Sequence, residues 1–258
     1  MKTKEIVQHI NAWLSNYCED TGHSGFVIGI SGGIDSALTS ILCAMTGKKV
    51  LLVSMPIRQT STEYGRAMNH IDDLKYRFDN VTSYDINLTD AFTEIENVMP
   101  FDIDTHHLAM ANSRARLRMT TLYALAQANR SLVAGTGNKI EDFGIGFFTK
   151  YGDGGVDLSP IADLTKTQVW AIAAEIGVSK EIITAKPTDG LWADGRSDED
   201  QIGASYPELE WAMDFRGDEN RITERQVIIL KIYKRLNSIN QHKIEPIPVC
   251  IIPENLKL

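Results

Sequence analysis

Residues 26–36 read FVIGISGGIDS, an apolar run that breaks into Ser31-Gly32-Gly33-Ile34-Asp35-Ser36. Phe26, Val27, Ile28 and Ile30 are apolar whichever way they point, so a strand built from them shows water neither face. Such a strand belongs inside a parallel sheet with helices on both sides, which limits the chain to α/β architectures. From Asp35 to Ala44 the sequence is rich in Ala, Leu and Ile and reads as a helix. Gly32 and Gly33 fall in the turn between the two, where glycine accepts positive φ and lets a ligand approach the backbone. The N–H groups of the following helix face an anion there, with the helix dipole behind them. Ser31 and Ser36 add hydroxyl donors, and Asp35 can hold a divalent cation against phosphate oxygens. The turn is a phosphate cradle, but no Gly-Lys-Ser/Thr follows, so it is not a Walker A loop.

Helices and strands alternate around this unit. Ile6, Val7, Ile10, Leu14 and Tyr17 fall at helical spacing within 4–19. A second strand covers 50–53, closed by Met55-Pro56, and a helix follows over 62–78. A third strand spans 81–86, a helix capped by Asn87 runs to Val98, and a long helix covers 107–129. A short fourth strand lies at 132–136. This order predicts parallel βαβ units: an α/β, doubly wound, Rossmann-like sheet with flanking helices. Beyond it, 144–157 is a glycine-rich loop, 164–176 a helix with Lys166 near its start, and 185–205 a long polar loop of lid character. Helices follow at 206–215 and 223–238, then an irregular end, 239–258, with Pro246, Pro248 and Pro253. One domain is expected over 1–258, with a core over 4–180 and a lid and C-terminal helical segment over 184–258.

Composition excludes several functions. The net charge of −8 disfavours generic nucleic-acid binding, which needs a basic face, so no nucleic-acid partner is expected, while a local basic pocket for phosphates stays open. Cys18, Cys43 and Cys250 lack metal-ligand spacing and fit a reducing, cytoplasmic setting, with Cys43 a small core residue. No apolar stretch approaches a membrane span, and the N-terminus leads into an amphipathic helix, so no membrane partner is expected.

In a parallel sheet, ligands gather beyond the carboxyl ends of the strands. Ile30 leads into the cradle, Val53 into Ser54-Met55-Pro56, and Ala134 into Gly135-Thr136-Gly137-Asn138-Lys139-Ile140-Glu141. Asp35 and Glu141 can thus face one crevice and share a Mg²⁺, although Glu141 taken alone also reads as a solvated helix acid. Arg114, Arg116 and Arg118 also read as a solvated helix face, but an arginine suits bidentate contact with phosphate or carboxylate. Lys166 at a helix start opposes the helix dipole, which favours a ligand role. His106-His107 lacks helical metal spacing and reads as surface, and Trp192 reads as packing within the lid.

The SGGxDS turn after a strand resembles the pyrophosphate loop of the N-type ATP pyrophosphatases. SGGIDS, NSRARLRMT at 112–120, GTGNKIED at 135–142, FFTKYGDGGVD at 147–157, LTK at 164–166, KPTDGLW at 186–192 and His242-Lys243 occur in one order. Together they are similar to NAD synthetase, a ligase family that amidates deamido-NAD, from about residue 5 to the C-terminus. The resemblance implies that Gly29, Ile30, Ser31, Gly32, Gly33, Ile34, Asp35 and Ser36 line the phosphates of the co-substrate ATP, with Thr136, Lys166 and Thr188 reaching the same nucleotide. It implies Mg²⁺ on Asp35 and Glu141, and deamido-NAD on Arg116, Lys150, Asp157, His242 and Lys243. Asp153 would lie near the nicotinate end as a catalytic residue beside Lys166 and Asp35. The spacing from Thr136 to Lys150 is one residue longer than the family pattern, which leaves Asp142 as an alternative to Glu141 at the metal. The segment 185–205 also departs from it, and the contacts after Val53 carry no motif.

The implied reaction has two steps. A nicotinate carboxylate attacks the α-phosphorus of ATP and pyrophosphate leaves; ammonia then displaces AMP from the acyl-adenylate. A glutamine-using version needs a glutaminase domain with an activated nucleophile, usually Cys, and none of the three cysteines opens one, so free ammonia is the expected donor unless a separate glutaminase partner supplies it. The family works as a homodimer, and the 107–129 helix is compatible with a face buried against its twin. The alternatives are another ATP pyrophosphatase of the GMP synthetase kind and, from a different class, a non-catalytic ATP-binding sensor.

Overall fold

A computed structural model of the chain describes residues 1–187 and 197–257. The FVIG segment forms β1 (Gly25–Gly29), which pairs in parallel with β2 (Lys49–Ser54) on one side and β4 (Leu132–Val133) on the other. β3 (Val81–Asp85) adds beyond β2, giving the order β3-β2-β1-β4. The chain moves outward from β1 to β3 and then returns to the opposite side of β1. The crevice between the ends of β1 and β4 is therefore the switch point, where a doubly wound sheet leaves room for a ligand. A parallel bridge from Ala134 to Leu158 prolongs that edge.

Alternate residues of β1 enter opposite cores. Phe26 and Ile28, with Ile30 just beyond the strand, pack with α1 (Thr3–Asp20), α2 (Ile34–Met45), α3 (Ser61–Arg77) and α6 (Lys166–Glu175). Val27 faces α4 (Thr89–Asn97) and α5 (His107–Ala128) with Leu51, Val53 and Val133. Each such side chain, fully buried, contributes roughly 1.5–3 kcal/mol of apolar transfer. Cys18 and Cys43 are buried in this frame, while Cys250 is exposed. A further core joins a π-helix (Lys139–Ile145), α8 (Asp198–Ile202), α9 (Tyr206–Asp214) and α10 (Glu224–Ile244). The short α7 (Lys180–Ile183) follows α6.

The structure departs from the sequence expectations at four elements. Strand β4 is shorter than expected, with Ala134 held only by its bridge to Leu158. The helix expected from Asn87 begins at Thr89; Leu88 is its N-cap, and the Asn87 Oδ1 accepts the Thr89 N–H at 2.9 Å. The expected loop from 144 begins inside the π-helix. The last long helix continues through Ile244, so His242 and Lys243 stand in its final turn and not in an irregular tail. Tertiary bonds extend it: Asn237 donates to the Gly144 carbonyl at 2.7 Å and Asn240 to the Ile145 carbonyl at 2.9 Å. Of the expected lid, Ser197 and α8 are ordered by a capping box, and Thr188 and Trp192 lie outside the described residues.

Candidate active site

The cradle closes on itself. Ser36 Oγ donates to the Gly33 carbonyl at 3.0 Å, and the Gly33 N–H donates to Ser31 Oγ at 3.1 Å. Gly33 is the N-cap of α2 and carries no side chain to occupy the first-turn N–H groups, which keeps the positive end of the helix open to an anion. Gly32 has φ +81°, and a Cβ there would stand 2.6 Å from the Glu63 carbonyl oxygen in the first turn of α3. Glycine is required on both counts.

Two carboxylates and one ammonium meet beside this turn. Asp35 leaves the first turn of α2, and Lys166 opens α6. Lys166 Nζ donates to Asp35 Oδ2 at 2.5 Å and to Glu141 Oε1 at 3.0 Å. Asn138, fully buried, caps the π-helix by accepting the Ile140 and Glu141 N–H groups, both at 3.1 Å. Its amide donates to Asp35 Oδ1 at 3.3 Å, so one side chain positions both acids. Tyr206 completes the set, donating its hydroxyl to Glu141 Oε1 at 2.5 Å with its ring 4.8 Å from Lys166 Nζ. Burial disfavours the charge on Lys166, but the Asp35 and Glu141 carboxylates outweigh it and hold the lysine pKa above its ordinary value. Burial, reinforced by the Glu141 and Asp198 charges, raises that of Tyr206, which therefore remains a donor.

Residues Lys139–Ile145 form a π-helix, whose turn is wider by one residue than an α-turn. Glu141 keeps the place beside Lys166, and Asp142 enters the cavity separately. A Cβ on Gly137 would stand 1.9 Å from Asp142 Oδ2, so this glycine makes room for the carboxylate. Burial, with the negative charges of Glu141, Asp153 and Asp35, pushes Asp142 up to about 8.

The facing wall comes from α5, residues 146–157 and α10. Asp153 Oδ1 accepts the Thr149 N–H at 3.0 Å, and burial raises its pKa. Arg116 Nε donates to the Lys150 carbonyl at 3.2 Å, Lys150 Nζ donates to the His242 carbonyl, and Lys243 Nζ donates to the Phe148 carbonyl at 2.6 Å. These bonds tie three sequence-distant elements into one wall.

Gly29, Ile30, Ser31, Gly33, Ile34, Asp35, Ser36, Thr136 and Lys166 line a single cavity of about 670 Å³ with Arg116, Lys150, Glu141, Asp153, His242 and Lys243. Gly32 stays behind the turn against α3, and Asp157 lies outside the lining. Its carboxylate accepts the Val133 N–H at 2.8 Å and the Tyr123 hydroxyl at 3.0 Å, which pins the sheet edge to α5. Sequence reasoning missed Asn138, Tyr206 and Arg66. Asn138 carried a signal, an Asn after a glycine turn at a helix start. Tyr206 carried none, because its role depends on a residue far back in the chain. Arg66 lines the cavity and donates to the Gly32 carbonyl at 3.3 Å. Among the described residues no helix is long and apolar enough to cross a membrane.

A sequence profile of the NAD synthase family matches residues 6–246. The chain is 36% identical over 249 residues to the NH(3)-dependent NAD(+) synthetase of Alkaliphilus metalliredigens, covering 94% of this chain and 97% of that one. Among solved structures it is similar to NMN synthetase from Francisella tularensis, with TM-score 0.85 and 31% identity over 98% of this chain and 99% of that one. It shares its fold with NH3-dependent NAD synthetase from Campylobacter jejuni, with TM-score 0.77 and 23% identity over 97% of this chain and 100% of that one.

Proposed function

Because the chain belongs to the NAD synthase family, we propose that the cavity at the switch point amidates deamido-NAD to NAD with ammonia, at the expense of ATP. The observation that carries this reading is the meeting of Asp35, Glu141 and Lys166 beside the SGGIDS turn, in one cavity with Arg116, Lys150 and Asp153. The cradle amides and Lys166 hold the nucleotide phosphates, and Thr136 borders them. The nicotinate carboxylate oxygen bonds to the α-phosphorus as the bond to the pyrophosphate oxygen breaks, so negative charge leaves toward the first turn of α2. Arg116 and Lys150 orient the acceptor, and His242 and Lys243 approach it from α10. Ammonia then forms the C–N bond, the acyl–phosphate C–O bond breaks, and AMP departs. Asp153 binds the incoming ammonium or takes its proton.

An ammonium already lies between Asp35 and Glu141, and two hard oxygen donors suit Mg²⁺, which takes few carboxylates and completes its shell with phosphate and water. Among the described residues no group of three or more acidic, His or Cys side chains is arranged for a metal. Asp35 and Glu141 would thus hold Mg²⁺ together with the substrate. A Mg²⁺ held by Asp35 and Glu141 would supply charge neutralisation for the leaving pyrophosphate.

A second reading concerns the acceptor alone. The likeness to an NMN synthetase supports nicotinate mononucleotide, which offers the same carboxylate without the adenylyl half. The GMP synthetase and sensor readings are not favoured. A homodimer is supported by family membership and by the exposed Tyr123 on α5 and Ile247, Val249 and Ile251 in the tail. Free thiols support a cytoplasmic setting.

Product analysis tests the reading. Purified protein with ATP, Mg²⁺, ammonium and deamido-NAD is expected to yield NAD, AMP and pyrophosphate, and glutamine in place of ammonium to yield none. Faster turnover of nicotinate mononucleotide would move the assignment to the second reading. Turnover only with an unrelated acceptor such as XMP would sink both.

A further inference from the structure

The Lys166 ammonium is 2% exposed and contacts both carboxylates that the proposed function assigns to the metal. Each acid also has a donor that is independent of the lysine. Asn138 donates to the other oxygen of Asp35, and Tyr206 donates to the oxygen of Glu141 that Lys166 contacts. These two neutral donors reach the acids without passing through the ammonium.

The ammonium on Asp35 Oδ2 and Glu141 Oε1 competes with a divalent ion for the same pair of carboxylates. A divalent ion held by both acids would have to take up oxygens that the Lys166 ammonium already contacts. Placing it beside the lysine would also bring like charges together in a buried site, where repulsion is poorly screened. A nucleotide removes the conflict, because its phosphates offer a new anion within reach of a flexible four-carbon stem at the start of α6.

We propose that Lys166 is a placeholder cation: it occupies the Asp35–Glu141 pair until the nucleotide arrives, then exchanges those carboxylates for phosphate oxygens, so that the metal enters with ATP and not before it. This rests on the reading of Asp35 and Glu141 as the metal pair. It assigns Lys166 a role in binding order beyond charge neutralisation, and it assigns Tyr206 and Asn138 as the positioning residues that preserve the pair when the lysine leaves.

Mn²⁺ binding followed by electron paramagnetic resonance at about pH 8 tests it, with the loss of the free-ion signal as the readout and nucleotide-only controls. Wild-type protein is expected to take up Mn²⁺ with a non-hydrolysable α,β-methylene analogue of ATP and to bind it at least about tenfold more weakly alone. Lys166→Met, and Lys166→Gln as a second variant should the first not fold, are expected to bind Mn²⁺ without nucleotide at least about tenfold more tightly than wild type. Equal nucleotide-free affinity in wild type and variants overturns the placeholder. Nucleotide-free binding by wild type as tight as in the ternary complex overturns it without any variant. Asp35→Asn and Glu141→Gln separate the two claims. If both retain the wild-type ternary signal, the metal-pair reading fails; if both lose it while the lysine variants match wild type, only the placeholder fails.

Discussion

Glu141 and Asp142 are adjacent in sequence and serve different surroundings. Glu141 is held by Lys166 and Tyr206, whereas Asp142 lies over Gly137 among other acids. Glu141→Gln is therefore expected to raise the Mg²⁺ concentration needed for half-maximal turnover by about 10-fold or more, and Asp142→Asn to leave that requirement in place. Steady-state rates across a Mg²⁺ titration decide between them. Tyr206→Phe removes one donor to a charged acceptor and is expected to shift the same titration in the direction of Glu141→Gln, by less. Asp153→Asn is expected to lower turnover by about 10²-fold or more with the Mg²⁺ requirement unchanged. Unchanged turnover at saturating ammonium would remove Asp153 from the chemistry.

Helices α2 and α3 are joined inside the protein by one polar contact, Ser40 Oγ to His70 Nε2 at 2.8 Å. The histidine is nearly inaccessible, and burial lowers its pKa from 6.5 to about 4. The native state keeps the ring neutral while the unfolded chain takes a proton at its ordinary value. The group's contribution to stability is complete above about pH 6.5, falls as pH drops toward 4, and falls no further below that. Wild type is expected to lose about 2 kcal/mol through this residue between about pH 7.5 and 5, and His70→Gln to show correspondingly less pH dependence. Urea unfolding at both pH values measures the difference. Nothing in the local composition of residues 139–145 separates a π-turn from an α-turn. Packing of Ile140 and Ile145 against α9 and α10 selects the wider turn. The last turns of α10 formed for a similar reason: the apolar period weakens after 238, and bonds from Asn240 and Lys243 to residues 145–148 carry the helix onward.

The cavity lies where the strand order reverses, and the exposed surface of α5 and the tail leaves apolar side chains on the outside. A homodimer that buries them is expected to sediment at twice the chain mass of 28.7 kDa at micromolar concentration. A charged substitution at Tyr123 or Val249 is expected to shift it toward monomer, as read by analytical ultracentrifugation. A monomer at all concentrations would remove the dimer. The sequence alone determined the strand, cradle and helix at 26–44, the alternation that demands a doubly wound sheet, and the order of motifs along it. These are written in local chemistry: β-branched runs, glycine turns and helical spacing. Only the tertiary structure decided that Lys166 bridges Asp35 and Glu141, that Tyr206 supports the bridge, and that Asp157 pins the sheet edge instead of lining the cavity. Those partners are separated by tens to more than a hundred residues. Each is selected by how α6, α9 and the sheet edge pack, which no local pattern encodes.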